Sequence, residues 1–88
     1  MADVNVSTFT VVQNYGGLKK AVFTVTAATA ADVLKFSNVS GIKMVVLQDS
    51  ATGSAFPYTI TGTGDIDVTV GAGASADALV GEITYLSN

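Results

Sequence analysis

Apolar and polar side chains alternate with a period of two residues in several short segments of this 88-residue chain. Between 65 and 70, for example, the apolar residues Ile66, Val68 and Val70 are separated by polar ones. Such alternation is typical of half-buried β-strands. Valine (13 residues) and threonine (11 residues) are abundant, and both are β-branched side chains that favour strands over helices. The pattern therefore predicts an all-β fold.

Clusters of Gly, Asn, Asp and Ser divide the chain into about seven predicted strands. The predicted strands are residues 4–12 (with a bend near Ser7-Thr8), 18–26, 33–36, 42–48, 56–60, 65–70 and 78–86. Seven short strands joined by short turns are typical of a compact antiparallel β-sandwich or small barrel. We therefore expect a single domain, residues 1–88.

Two of these strands have a predicted position in the sheet. The strand at 42–48 is apolar on both faces from Met44 to Leu47, which predicts a central strand or one covered on its second side. Pro57 cannot donate a hydrogen bond to a neighbouring strand, so the strand at 56–60 is predicted to lie at a sheet edge or to begin near this residue.

The small size of the chain limits the core that it can form. A domain this short buries only roughly 60–65% of the surface that its unfolded chain exposes. Small domains usually add disulfides, a structural metal or association with other chains. Cysteine and histidine are both absent, which excludes disulfides and thiolate zinc sites. Association with other chains is the remaining route to extra stability.

Charge and hydropathy argue against two classes of partner. The chain has four lysines, no arginine and seven acidic residues, so it lacks the basic surface that nucleic acids require. No apolar run approaches the ~20 residues needed to span a bilayer, so no membrane partner is expected. The first residues lack the basic start and apolar core of a signal peptide, which predicts synthesis in the cytoplasm without a secretory signal.

The glycine-rich stretch 61–74 (TGTGDIDVTVGAGA) contains fragments of phosphate-loop and calcium-repeat patterns. A phosphate loop needs a lysine and a following helix, and neither is present. Calcium repeats work in stacked arrays, and this is one copy. Asp65 and Asp67 are predicted to share an outward face and are weak candidates for a cation site. The favoured interpretation is that they keep an edge strand soluble, in a strand between two turns.

The remaining acidic residues do not suggest a catalytic site. Without His and Cys, a general base must be Asp, Glu or Lys. Glu82 is the only glutamate and is predicted to lie mid-strand, on the face opposite Ile83. Asp32, Asp49 and Asp77 lie beside turns, where carboxylates commonly accept backbone hydrogen bonds. We therefore predict no enzyme activity, no catalytic residue and no cofactor.

Apolar residues at predicted surface positions exceed what one small core needs. Only 12% of residues are charged, against about 25% in ordinary soluble domains, which favours a protein–protein interface. The first predicted strand could also join a neighbour's sheet through main-chain hydrogen bonds. The candidate interface residues are Val4, Val6, Phe9, Val11, Val22, Met44, Phe56 and Tyr58.

The short cysteine-free chain, its sparse charge and small-residue loops such as 71–81 (GAGASADALVG) resemble the small structural proteins of tailed-phage virions. Within that group, the resemblance is nearest to head decoration (cement) proteins. It implies an all-β protein on the capsid exterior that binds the major capsid protein and stabilises the lattice after expansion, often as a dimer or trimer. A tail, baseplate or fibre component is the alternative, and no site residue can be transferred from the family.

Two functions of other classes remain open. A carbohydrate or cell-surface binding module could use Tyr15, Tyr58 and Tyr85 as stacking platforms, which requires them to gather on one exposed face. A small hydrolase would have to use Asp65 and Asp67. Binding ranks above catalysis.

Overall fold

The computed structural model describes residues 2–87, in which eight strands form two four-stranded sheets. Sheet A has the strand order β1-β4-β7-β6, and sheet B has the order β2-β3-β8-β5. The all-β prediction is confirmed, and the two sheets are consistent with a small sandwich. The strands are β1 (Asp3–Asn5), β2 (Thr8–Tyr15), β3 (Leu18–Ala28), β4 (Val33–Lys35), β5 (Val39–Asp49), β6 (Tyr58–Thr61), β7 (Asp67–Val70) and β8 (Asp77–Ser87).

The core contains the inward-facing residues of both sheets. On β3, alternation places Ala21, Phe23 and Val25 inside, as predicted, and the same holds for Leu79, Ile83 and Tyr85 on β8. The central side chains of the core come from both sheets and include Phe23, Leu34, Leu47, Val68 and Ile83. Period-two alternation therefore identified the buried faces of β3 and β8 correctly.

An aromatic cluster lies beside this aliphatic core. The Phe23 and Phe36 rings meet edge to face with centroids 5.1 Å apart, and Phe9 lies 5.9 Å from Phe36 and 5.8 Å from Tyr85. Opposite Phe23 on β8 is Gly81, which has no side chain. A Cβ atom at Gly81 would lie 2.5 Å from the Phe23 ring, so the glycine is what allows the ring to occupy this position.

The first predicted strand, residues 4–12, is wrong as a single element. β1 pairs in parallel with β4 in sheet A, whereas β2 pairs with β3 in sheet B. The chain crosses between the sheets at 6–7, where the Ser7 N–H donates to the Thr24 carbonyl oxygen. This crossing explains the slip in alternation, because Val4 and Phe9 both pack against the one core from different sheets. The β1–β4 pair is parallel, and the other strand pairs of residues 2–87 are antiparallel.

The predicted central position of strand 42–48 is also wrong. β5 lies at the edge of sheet B, paired only with β8 in the sheet order. Its second face is exposed, with Met44 at 65% and Val46 at 47% of full exposure. The two-sided apolar pattern therefore reflects an exposed apolar surface on this chain rather than a second covering layer.

The position of Pro57 is confirmed. Pro57 directly precedes β6, and β6 is an edge strand of sheet A. The Pro57 carbonyl oxygen accepts a hydrogen bond from the Gly71 N–H, which ties the start of β6 to the end of β7.

Candidate binding surface

Four apolar side chains lie close together on the outer face of sheet B, on three adjacent strands. In the register of the sheet, Val22 on β3 lies opposite Glu82 on β8, and Glu82 lies opposite Val46 on β5. Val80 and Met44 are each two residues along their strand from this row. We name the set Val22, Met44, Val46 and Val80 the apolar face.

The apolar face is open and shallow. Val22, Val46 and Val80, with Gln48 and Glu82, line a depression that opens broadly to solvent. Val22 is 37% exposed, and Val80 is half-buried. A shallow surface of this kind suits a protein partner, because small-molecule sites are concave and enclose most of their ligand.

An ion pair lies within this surface. The Lys20 Nζ atom is 3.2 Å from Glu82 Oε1, and both side chains are partly exposed. An exposed pair of this kind stabilises the fold by at most about 1 kcal/mol. Its more important effect is that the one carboxylate between Val22 and Val46 is neutralised locally, so a partner need not bury an unpaired charge there.

The outer face of sheet A is different, because it carries a polar row at one end of its strands. Lys35, Asp67 and Thr61 lie side by side across β4, β7 and β6. The Lys35 Nζ atom donates to Asp67 Oδ2 at 2.9 Å, and the Thr61 and Thr69 hydroxyls are 2.9 Å apart. The hydrogen bond to Asp67 raises the pKa of Lys35 above its ordinary value, although partial desolvation acts in the opposite direction.

The predicted environment of Asp65 and Asp67 is wrong. Asp67 is only 7% exposed and lies on β7, an internal strand of sheet A, so it does not protect a sheet edge. Asp65 is exposed in the turn before β7, with a φ of 57°. Ile66, predicted to face inward with Val68, is 37% exposed.

These contacts bear on the idea of a cation site at the two aspartates. The Lys35 ammonium already lies against the Asp67 carboxylate. Within residues 2–87 no group of three or more His, Cys, Asp or Glu side chains is close enough to hold a metal ion. The glycine-rich stretch is a strand between two turns, as favoured from the sequence, with positive φ at Gly62, Gly64 and Gly73.

We expect Lys35→Met to be less stable than the unaltered protein at neutral pH, because it leaves the buried Asp67 carboxylate without its partner. The pKa of Lys35 is higher in the folded state than in the unfolded state. The ammonium group therefore stabilises the fold fully below the ordinary pKa of 10.5. This stabilisation is lost as the pH rises through the raised pKa. Urea unfolding of both proteins from pH 7 to pH 12 should show the difference in stability shrinking at the alkaline end.

The exposed Lys43 on β5 is the matched control for this prediction. Lys43→Met should change stability little, because surface substitutions away from specific contacts usually do so. A Lys35→Met effect that stayed constant up to pH 12 would contradict the role assigned to the ammonium group.

The three other turn aspartates lie where the sequence predicted. Asp32 accepts a hydrogen bond from the Thr29 N–H, Asp49 from the Ala51 N–H, and Asp77 from the Ser75 N–H, at distances of 2.9, 2.7 and 3.1 Å. Each carboxylate closes a local turn. The interpretation of these acids as turn residues is therefore confirmed.

The structure divides the predicted interface residues into two groups. Val4, Val6, Phe9 and Phe56 are half-buried and pack against the protein's own core, which leaves less of each side chain for a partner. For Val4, Val6 and Phe9 the cause is the switch between sheets, which turns both halves of the segment 4–12 toward the core. The other four are exposed, and they are Val11 on β2, Val22 and Met44 on the apolar face, and Tyr58 on β6.

Two residues of the apolar face were not among the predicted ones. Val46 follows Met44 by two residues on β5, and Val80 follows Leu79 on β8. Both could have been found from alternation, since each lies between inward-facing neighbours. What could not be found was that β3, β8 and β5 are adjacent and therefore bring these side chains together.

The three tyrosines do not form a stacking platform. Tyr85 is buried in the core, and its burial raises the pKa of its hydroxyl. Tyr15 is exposed at the end of β2 in sheet B, whereas Tyr58 lies on β6 in sheet A. The arrangement gives no support to a carbohydrate site built on these residues.

Comparison with known proteins found no match to any protein-family model, curated protein or solved structure. Residues 2–87 contain no helix with the length and hydropathy needed to cross a membrane. The surfaces described above are therefore the basis for a functional proposal.

Proposed function

We propose that this chain is a non-enzymatic structural protein that binds a viral capsid lattice through the apolar face. Its partner in this proposal is the major capsid protein on the exterior of a tailed-phage head, in the role of a decoration protein. The observation that carries the proposal is the apolar face of sheet B, where Met44 is 65% and Val46 is 47% exposed.

The chemistry of the apolar face supports protein binding. Interface centres are depleted in charge and enriched in Met and aromatic residues. Here Met44 and Val46 lie two residues apart on the exposed face of β5. Glu82, which lies opposite Val46, is paired with Lys20. Burial of apolar surface contributes roughly 25 cal/mol per Å², so four such side chains supply a useful driving force for docking.

A lattice partner also suits the size of the chain. A small domain without disulfides gains stability from a partner that binds only its folded state. At a thousandfold excess of partner over Kd this gain is about 4 kcal/mol. A capsid offers many identical sites at high local concentration, so it can stabilise every bound copy in this way.

Co-sedimentation with capsid shells tests the proposal. The shells would be assembled from the major capsid protein encoded with this chain, in unexpanded and expanded forms. We expect saturable binding to expanded shells. Binding to isolated tails with none to shells would move the assignment to the tail or baseplate, and no binding to either would contradict a virion role.

We expect Val46→Lys to weaken shell binding at least tenfold, because it adds an ammonium group beyond the one that already pairs with Glu82, and docking would have to bury this extra charge. Ile66→Lys is the matched control, since Ile66 is also an exposed apolar residue but precedes β7 in sheet A. Binding isotherms for the two variants should separate clearly. Equal affinities would exclude the apolar face as the docking surface.

A further inference from the structure

The two sheets have four edge strands, which are β1, β6, β2 and β5. These edge strands differ in how many of their outward main-chain groups form hydrogen bonds within the chain. The edge of β5 is covered by the chain's own loops. The Phe56 N–H donates to the Leu47 carbonyl oxygen, the Ile42 N–H donates to the Asp65 carbonyl oxygen, and the Asp49 N–H donates to Ser54. A neighbouring strand therefore cannot pair along β5 without displacing these loops.

The two edges of sheet A are short. β1 has three residues, and β6 has four residues and follows Pro57. Short strands and proline are two devices by which proteins discourage edge-to-edge pairing. Neither edge offers a long row of main-chain donors and acceptors.

The edge of β2 is long and open. It has eight residues, TFTVVQNY, all exposed except the half-buried Phe9. None of the eight is charged or a proline, so only the bulge between Val11 and Gln13 interrupts it. Among the backbone hydrogen bonds of residues 2–87 outside the strand ladders, none involves a residue of β2. Every second residue of such an edge directs its N–H and C=O groups away from the sheet.

We infer that β2 is a dimerisation edge, which pairs antiparallel with β2 of a second copy of this chain across a two-fold axis. The pairing would join the two copies of sheet B into one continuous eight-stranded sheet. Main-chain hydrogen bonds supply much of the affinity in such strand addition. Cross-strand pairs of the β-branched and aromatic side chains of β2 add to it.

A second copy fits this edge because of charge. A two-fold axis places β2 of one copy opposite β2 of the other. Any charged residue on β2 would therefore lie close to the same charge on the second copy. The chain carries a net charge of −3, but β2 contributes none of it. The edge is therefore compatible with self-pairing, and it offers no electrostatic attraction to a strongly charged partner.

The same topology limits the assembly to two copies. Edge pairing that leaves a second open edge propagates into a fibre. Here the far edge of sheet B is β5, which the loops at 54–56 and Asp65 cover. Pairing through β2 uses the one long open edge of residues 2–87. A dimer therefore has no long open edge left with which to pair a third copy.

The dimer does not depend on the proposed capsid role, because its edge and the apolar face are different surfaces. The apolar face lies on β3, β8 and β5, so it stays exposed when β2 is paired. A dimer would present two apolar faces on the same continuous sheet. Where the spacing of the lattice allows both faces to dock, two linked faces bind it more tightly than a single face does.

Light scattering at increasing protein concentration tests the inference with a matched pair of variants. Val12→Lys places a charge on the β2 edge, where Val12 is 49% exposed. Val46→Lys makes the same substitution at a valine that is 47% exposed, on β5 at the opposite edge of sheet B. We expect a concentration-dependent dimer for the unaltered chain and for Val46→Lys, and at least a tenfold weaker dimer for Val12→Lys. Circular dichroism at low concentration checks that both variants fold.

A cross-linking experiment tests the edge without relying on a destabilising charge. The chain has no cysteine, so Val12→Cys introduces a single thiol close to the middle of β2. A short bis-maleimide should link two copies of Val12→Cys and should link Val46→Cys far less. A chain that stays monomeric at all concentrations, a dimer unaffected by Val12→Lys, or equal linking of the two cysteine variants would each overturn the inference. If the unaltered chain formed the dimer but did not bind shells, that result would count against the proposed function alone.

Discussion

Phe23→Ala is expected to lower the free energy of unfolding by about 3–5 kcal/mol. Phe23 is only 1% exposed, and its ring packs edge to face against Phe36 at the centre of the core. Removing it leaves a cavity that neighbouring strands cannot fill without moving. A chain of 88 residues has a total stability of about 4–13 kcal/mol, so this loss is a large part of the whole.

Urea unfolding at a protein concentration below the dimer range measures this effect without a contribution from association. Val22→Ala is the control, because Val22 is the next residue on β3 but faces outward. We expect it to change stability by no more than about 0.5 kcal/mol. If both variants lost similar stability, the assignment of inner and outer faces on β3 would be wrong.

Gly81→Ala is expected to destabilise the protein by about 1–3 kcal/mol although it adds only one methyl group. The new Cβ would lie 2.5 Å from the Phe23 ring and 2.6 Å from the Val46 carbonyl oxygen. The ring could move only against its own packing, and the carbonyl belongs to the β5–β8 ladder. The strain should therefore reach β5, whose outer side carries the Met44 and Val46 side chains.

Gly17→Ala is the matched control, since no atom lies within 4 Å of a Cβ at Gly17 and its backbone φ is not positive. Its unfolding midpoint should stay close to that of the unaltered chain. Combining Gly81→Ala with Phe23→Ala gives a further check. The double variant should lose less free energy of unfolding than the two single variants lose together, because the smaller residue at 23 makes room for the new methyl group. Full additivity would show that the Phe23 ring is not what Gly81 accommodates.

Much of the strand content could be read from local pattern. Alternation on β3 and β8 was sufficient because each strand keeps one face toward the core along its whole length. Pro57 and the turn aspartates were also predictable, since a missing N–H donor and a carboxylate beside a turn act over a few residues.

Predictions that depended on distant partners were less successful. Met44 and Val46 make the second face of β5 apolar, and this pattern predicts a central or covered strand, although Met44 was also an interface candidate. In the fold β5 is an edge strand, so those side chains are exposed. Asp67 shows the opposite error, because Lys35 lies 32 residues earlier in the chain and meets it only when β4 pairs with β7.

The sequence by itself determined the all-β class, the turns and the inward faces of β3 and β8. Its sparse charge is one basis of the proposal that the chain binds other proteins. Only the tertiary structure decided that residues 4–12 divide between two sheets and that β2 keeps an open edge while loops cover β5. The physical reason is that side-chain alternation is a local property of one strand, whereas edges and shared faces depend on which strands become neighbours.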